Sequence, residues 1–478
     1  MAHGAYGIEN ITGEERVDKD KYISEYADAI RYILPHITNE EASAILNEQN
    51  KIDGFLENLS KFDMNVAKGL TVKYRTLLQG KLLNHTTFKL SDLDLEMIKS
   101  VPPGGSWKDI PMETVEKSKR LKRITQTGGR TTLYGRIDYD KPSYTITTYF
   151  NRPGNGTYVH PVHERVLTVR EAARFQAFRD DYYFFGNKTQ HLKQVGNAVP
   201  TLLAYQIARE IKLKTGCCKS IDLFCGAGGM TVGFKAAGIE SLLSNDIEES
   251  VCITLKINNP EINVLCGDIT KFETKSVIEK AALEGGADII CGGPPCQGFS
   301  MAGFRSEDDP RNQLFREFVD IVERVNPKVI VFENVEGLLS YQGGKTYQEV
   351  HTLFSELGYN TAGRTLMASD YAVPQKRKRV IIICTRKDIG VSPDELYPEP
   401  ITADEPSQVT ARETIADLEM VPCDDNAKYV AFNESDILEF FKGEITYEEY
   451  INQKTPKVQH TNKPVKEPYE QLSLLGLL

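Results

Sequence analysis

At 478 residues the chain exceeds one compact domain of common size, which predicts two domains or one enlarged α/β domain with a satellite. With 40% hydrophobic and 26% charged residues it excludes wholesale disorder, collagen and coiled coils, and no apolar run approaches the roughly 18 residues that span a bilayer. The formal charge of −10 argues against a polyanion partner only as a total: residues 61–216 hold 26 Lys+Arg against 14 Asp+Glu, or +12, while 1–60 (5 against 12), 217–384 (17 against 22) and 385–450 (5 against 17) carry −7, −5 and −12, so the basic segment is the candidate surface for a polyanion.

The first thirty residues hold ten charged side chains and no apolar core, which predicts no signal peptide and a soluble intracellular protein. Residues 1–60 read as a helical segment with acidic faces at 18–34 and 40–49. Residues 61–163 are rich in Thr, Tyr and Gly and carry short β-like runs such as TLYGRIDY and SYTITTYF, which predict a small, loop-rich, mixed domain. Residues 164–216 return to helical patterns at 168–178 and 201–213, the second running through 214–219 into a first strand.

From 217 to 384 short apolar runs alternate with helical patterns: SIDLF, SLLSND, VLCGDI, DIIC, KVIVFENV and VIIIC, with a long amphipathic segment at 313–325. Such alternation means βαβ units, hence an α/β fold with a doubly wound, mostly parallel sheet. Residues 385–478 form an acidic, proline-containing segment with one helical pattern near 412–418, expected to pack near the small domain. The nine cysteines, all between Cys217 and Cys423, are odd in number and lack CxxC spacing, which predicts neither a disulfide framework nor a zinc site.

In an open parallel sheet ligands bind beyond the carboxyl ends of the strands, so the residues following each apolar run carry the information. The first run ends in Phe224-Cys225-Gly226-Ala227-Gly228-Gly229, a tight strand-to-helix turn whose spacing is not the dinucleotide pattern GxGxxG. The second ends at Asp246, placed to take ribose hydroxyls, and the third in Asp268-Ile269, where a carboxylate beside an apolar side chain suits an adenine. Either aspartate alone reads equally as a helix cap; three successive strand ends together point to an adenosine-containing cofactor. The fourth run ends in Gly292-Gly293-Pro294-Pro295-Cys296-Gln297-Gly298-Phe299-Ser300. An isolated cysteine is usually a core residue, but one in a proline-stiffened, glycine-flanked loop at the ligand edge reads as a nucleophile. The next run places Glu333 beside it, and Gln375-Lys376-Arg377-Lys378-Arg379 precedes the last, where strand alternation turns Gln375, Arg377 and Arg379 to one side.

These segments resemble the DNA cytosine-5 methyltransferases. SIDLFCGAGG is similar to that family's S-adenosylmethionine loop, GGPPCQGFS to its catalytic loop, FENV and QKRKR to its glutamate and QxRxR motifs, and LTVREAARFQAF and QVGNAVP to its ninth and tenth motifs. The resemblance covers roughly residues 100–420. The last two motifs precede the first, which implies a circularly permuted member whose old termini are joined through residues 211–219. Arg179 stands where the family usually carries the proline of Phe-Pro-Asp.

The resemblance implies a Rossmann-like S-adenosylmethionine-dependent methyltransferase fold with the small domain reading the target. It implies double-stranded DNA as substrate and no metal. Cys296, Glu333, Arg377 and Arg379 would be the catalytic set, with Arg379 on the cytosine carbonyl and Arg377 on a neighbouring phosphate or the loop. Phe224, Gly226, Gly228, Asp246, Asp268, Ile269, Leu314 and Asn197 would hold the cofactor, and Gln297, Ser300, Lys119, Arg130 and Arg136 would touch DNA. A monomer acting in a bacterial cytoplasm, with a separate restriction endonuclease as companion and no membrane contact, is the implied setting. An RNA cytosine-5 methyltransferase of the same fold and a silent DNA-binding relative are the competing classes. Gln297 to Ser300 after the cysteine speak against the first, and intact Cys296 and Glu333 against the second.

Overall fold

A computed structural model of the chain describes residues 19–48, 51–295, 314–423 and 435–456. The alternating region folds into a seven-stranded sheet. Its strands are β1 (Lys219–Leu223), β2 (Glu240–Asp246), β3 (Val264–Cys266), β4 (Ile289–Gly292), β5 (Val329–Asn334), β6 (Tyr359–Met367) and β7 (Lys378–Arg386). In space they run β3-β2-β1-β4-β5-β7-β6. β1 to β5 are parallel, and β7 is antiparallel to both β5 and β6. The order reverses between β1 and β4, the switch point where a doubly wound sheet opens a crevice.

Successive side chains of a strand face opposite ways, and the core divides accordingly. Ile330 and Phe332 of β5 join Ile221, Leu223 and the helix Leu314–Val325 on one face. Val329 and Val331 join Cys291, Ile381 and the helix Thr201–Thr215 on the other. The helix Leu314–Val325 earns its place through Phe315, Phe318, Ile321, Val322 and Val325, spaced to form one buried stripe. The helix Thr201–Thr215 ends on Gly216 in the left-handed conformation, φ 70°, and the chain enters β1 within three residues. It packs against the helix Gly229–Ala236 at glycine contacts: a Cβ on Gly229 would lie 2.1 Å from Val199 O, and one on Gly233 2.6 Å from Thr201 O.

Three segments take a more specific form than their sequence predicts. The helix Lys61–Leu78, expected with the mixed segment 61–163, packs instead with the N-terminal helices: Val66, Leu70 and Tyr74 share a core with Tyr26, Ile30 and Ile45. Ile253 and Ile257 of the helix Glu249–Asn258 complete that core and fasten the unit to the sheet. TLYGRIDY and SYTITTYF supply only the two-residue strands Gly135–Arg136 and Ser143–Tyr144, paired in parallel with Thr157–Val159 and Gln375–Lys376. The C-terminal segment divides: Ala411 and Arg412 donate backbone N–H groups to Lys141 O and Tyr139 O of the mixed segment 61–163. The helices Asp436–Lys442 and Tyr447–Lys454 instead pack through Phe440, Phe441 and Tyr450 into the core of Thr201–Thr215.

Candidate functional site

The ends of β1, β2 and β3 are stitched by backbone bonds and by one side-chain amide. Cys225 N donates to Asn245 O at 3.0 Å, Gly267 N to Asp246 O at 2.9 Å, and Asn245 Nδ2 to Leu265 O at 2.9 Å. Asp246 is clamped from two sides, with Gly226 N on Oδ2 and Glu248 N on Oδ1, both at 2.9 Å. The backbone therefore fixes the orientation of this carboxylate at the end of β2. Burial raises the Asp246 pKa against those donors, whereas the N–H and hydroxyl of Thr270 on Oδ1 lower that of Asp268.

The turn after β1 stores left-handed backbone at Phe224 (φ 57°), Gly226 (φ 53°) and Gly228 (φ 84°). A Cβ on Gly226 would meet only open space, so a ligand can lie against that backbone. Half-buried Phe224 and Leu314 and buried Ile269 belong to one apolar cluster. Asn197 is exposed at the end of the helix Lys188–Asn197. These residues fit an adenosine: a pinned acceptor, open backbone and an apolar wall. Ile247, immediately after Asp246, is an apolar side chain 63% exposed. Sequence reasoning missed it because it follows the strand's apolar run; an apolar residue after a strand-end carboxylate was the available signal.

Beneath the loop, Asp222 of β1 is buried and accepts from Thr231 Oγ1 at 2.5 Å. Burial pushes its carboxyl up to about 7. Burial likewise holds the Cys225 and Cys291 thiols well above the usual range, which makes both poor nucleophiles.

β4 and β5 lie side by side with Gly292 opposite Phe332, which sets Gly293 against Glu333. A Cβ on Gly293 would fall 2.6 Å from Glu333 Oε2, so the absent side chain is what admits the carboxylate. Glu333 is buried and pairs with Arg379 Nε at 2.7 Å. Asn334 Nδ2 donates to Pro294 O at 3.3 Å and ties the start of the loop to β5. Asn334 was not singled out beforehand, although FENV displays it. Cys296, Gln297 and Ser300 lie outside the described residues.

Two arginines are placed otherwise than expected. Arg377 is buried, and its Nη1 and Nη2 donate to Ile146 O at 2.8 Å and Gly196 O at 3.0 Å. It joins Ile146 to the end of the helix Lys188–Asn197, and both Nη atoms are spent on backbone carbonyls. Arg136 is buried and donates to Val101 O, His160 O, His163 O and Ile98 O at 2.6–3.0 Å. Those carbonyls consume the fork that a DNA contact would need. Lys119 and Arg130 are exposed, at the start of the helix Lys119–Thr127 and just beyond it. Arg170, Glu171 and Arg174 brace the fold: Arg174 grips Asp180 at 2.6 Å and Asp417 at 2.7 Å, and Arg165 grips Glu171 at 2.7 Å.

Among the described residues no cluster of three or more His, Cys, Asp or Glu is arranged to hold a metal, and no helix is long and apolar enough to cross a membrane.

Comparison with known proteins adds an independent line. The chain is 44% identical over 183 residues to the Type II methyltransferase M1.HphI of Haemophilus parahaemolyticus, covering 38% of this chain and 48% of that protein. It is 37% identical over 221 residues to M.Eco47II of Escherichia coli, 46% of this chain and 51% of the other. Against M.AquIA of a Picosynechococcus species it is 40% identical over 178 residues, 35% of this chain and 72% of the other. The chain thus spans about half the length of the first two of these relatives. The family model for C-5 cytosine-specific DNA methylases matches residues 41–213 and 218–471, a wider stretch than the motifs alone mark out. With that match over most of its length, and the strand-end geometry above, the chain belongs to the C-5 cytosine-specific DNA methylase family.

Proposed function

We propose that this chain methylates carbon 5 of a cytosine extruded from double-stranded DNA, using S-adenosylmethionine, as the modification enzyme of a restriction–modification system. The observation that carries the reading is the buried Arg379–Glu333 pair, 2.7 Å apart, facing Gly293 three residues before Cys296. S-adenosylmethionine, when bound, supplies an electrophilic methyl group on a sulfonium centre. Asp246 would take the ribose hydroxyls, Asp268 the adenine amine, and Phe224, Ile247 and Ile269 the faces of the ring.

The target carbon lies inside the base stack of a duplex, so the nucleotide must be flipped out before chemistry. Cys296 attacks carbon 6 as the thiolate and opens the 5,6 double bond, which makes carbon 5 nucleophilic. Glu333 hydrogen-bonds the ring nitrogen and exocyclic amine edge, where charge develops, and Arg379 orients that carboxyl while reaching the base carbonyl. After methyl transfer a water molecule takes the carbon-5 proton, the C–H bonding pair reforms the 5,6 double bond, and the C6–S bond breaks to release the thiolate and restore the base. Lys119 and Arg130 offer charge to the backbone outside the pocket. Circular permutation fits the same reading: the family matches abut between residues 213 and 218, where the chain passes from Thr201–Thr215 into β1.

The test is transfer of labelled methyl groups to duplex DNA by the unaltered chain and by Cys296→Ser. The variant is expected to bind S-adenosylmethionine normally and to lose transfer by at least about 10³-fold, the scale seen when a catalytic nucleophile is removed. Transfer surviving in Cys296→Ser would sink the assigned nucleophile. Transfer to structured RNA in place of DNA would sink the substrate.

A further inference from the structure

Asp246 and Ile247, at the end of β2, each lie against a cysteine sulfur. Cys252, in the helix Glu249–Asn258, donates to Asp246 O at 3.5 Å, and Cys266, the last residue of β3, donates to Ile247 O at 3.8 Å. β3 runs parallel to β2 with Cys266 opposite Asp246. The two thiols are also hydrogen-bonded to one another, and neither is in a disulfide. Helix, strand and the carboxylate-bearing strand end thus meet at one pair of sulfurs.

The pair is asymmetric. Cys252 is buried, whereas Cys266 is exposed. The hydrogen bond from Cys252 holds the Cys266 thiol below its usual pKa, and that bond together with burial raises the pKa of Cys252. An accessible, more acidic thiol in contact with a second one is the arrangement in which the first is oxidised and the second resolves it. Cys225 and Cys291, at the neighbouring strands, are both buried and lack that access. Hydrogen peroxide supplies the oxidising equivalents. The Cys266 thiolate attacks one peroxide oxygen, the O–O bond breaks, and the released hydroxide takes up the proton shed by Cys266 and leaves as water. The Cys252 sulfur then attacks the resulting sulfenic acid: the S–S bond forms, the S–O bond breaks, and the Cys252 proton leaves with that oxygen as a second water. The two thiols lose two electrons, and peroxide is reduced to water.

We infer that Cys252 and Cys266 form an oxidation site at the cofactor pocket, whose disulfide weakens the hold on S-adenosylmethionine. The bond draws the two sulfurs together and removes the thiol donors from Asp246 O and Ile247 O. The peptide between Asp246 and Ile247 loses its sulfur anchors on both sides, and the carboxylate that Gly226 N and Glu248 N orient moves with it. The inference rests on the placement of the ribose at Asp246 proposed above.

The test is peptide mass mapping and S-adenosylmethionine binding on the full chain before and after hydrogen peroxide, with Cys296→Ser run in parallel to separate oxidation of that thiol. Peroxide should join the peptides bearing Cys252 and Cys266 with loss of two hydrogens. It should also lower the affinity by at least about tenfold, the scale of one displaced charged hydrogen bond. Dithiothreitol should reverse both changes. Cys266→Ser, at an exposed position, should bind as the parent does and keep its affinity in peroxide. Cys266 ending as a sulfinic acid without the crosslink, a crosslink with unchanged affinity, or equal loss in Cys266→Ser overturns the oxidation site alone. A reduced chain that binds no S-adenosylmethionine overturns the cofactor placement and the oxidation site with it.

Discussion

Arg136, Arg377 and Arg379 are the same side chain in three circumstances, and sequence pattern separates them poorly. What each can do depends on whether its donors are already taken. Arg136 gives its fork to backbone carbonyls, Arg377 to Ile146 O and Gly196 O, and only Arg379 meets a carboxylate at the strand ends. Those carbonyls come from residues distant in sequence, so no local motif announces the commitment. Asp222 offers a sharper test at this scale. Its folded-state pKa, about 7, lies above the usual 3.8 because burial penalises the charge. A carboxyl raised in this way stays protonated when the unfolded chain has already ionised, so it contributes stability at acid pH that is lost as pH rises from about 4 to about 7. Asp222→Asn keeps the shape and an acceptor for Thr231 without the ionisation. The variant should match the parent near pH 4 and exceed it by about 2–4 kcal/mol above pH 7, read from urea midpoints across pH. Equal midpoints at pH 8 would show the carboxylate to be adequately solvated when charged.

At the scale of elements, what was legible depended on burial. β1, β2, β4 and β5 announce themselves as apolar runs because helices cover both faces. β6 does not, since it is an edge strand with Asn360, Arg364 and Thr365 exposed, and its apolar residues never run together. The helix Lys61–Leu78 hid for a related reason, its buried Val66, Leu70 and Tyr74 being interleaved with Lys61, Asp63 and Lys68. The strand-end chemistry was readable because the sheet's topology alone gathers those residues. The glycines after β1 were read as ligand-facing; a Cβ on Gly226 would meet open space, whereas one on Gly228 would lie 2.5 Å from Leu255 Cδ1. Gly229 packs on the Val199 backbone just ahead of Thr201–Thr215, and Gly233, one turn on, packs on that helix itself. Gly233→Ala is the discriminating substitution. Helix propensity favours alanine by about 1 kcal/mol, but the new methyl would sit 2.6 Å from Ala204 Cβ, Thr201 O and Tyr205 N. Backbone atoms cannot turn aside, so overpacking should prevail, with a net loss of about 1–3 kcal/mol in urea unfolding. A stabilised variant would show that the two helices can separate at little cost.

Over the whole molecule, the +12 of residues 61–216 overstates the charge presented to a polyanion. Lys73, Arg136, Arg170 and Arg174 are buried and spend their charge inside the fold, whereas the helix Lys119–Thr127 and Arg130 keep basic side chains exposed. Internal cations hold the parts of the chain together, and Arg179 does so at the longest range. Where the family usually has proline, this guanidinium stacks 5.2 Å from the Phe440 ring and 5.3 Å from the Tyr447 ring, and donates to Ile445 O at 2.7 Å. The neighbouring Asp180 N donates to Phe441 O at 2.9 Å. The stiffness lost with the proline is thus replaced by docking of the helices Asp436–Lys442 and Tyr447–Lys454, which also cover the helix leading into β1. Arg179→Ala removes two cation–π contacts and a charged hydrogen bond, for an expected loss of about 2–3 kcal/mol. Because the loss falls on one contact surface, protease cleavage within 436–454 should rise before the sheet unfolds. Arg179→Pro should behave alike, since a stiffer loop cannot replace the stacked rings. Protease protection of 436–454 unchanged in both variants would mean that Phe440, Phe441 and Tyr450 hold these helices without help from Arg179.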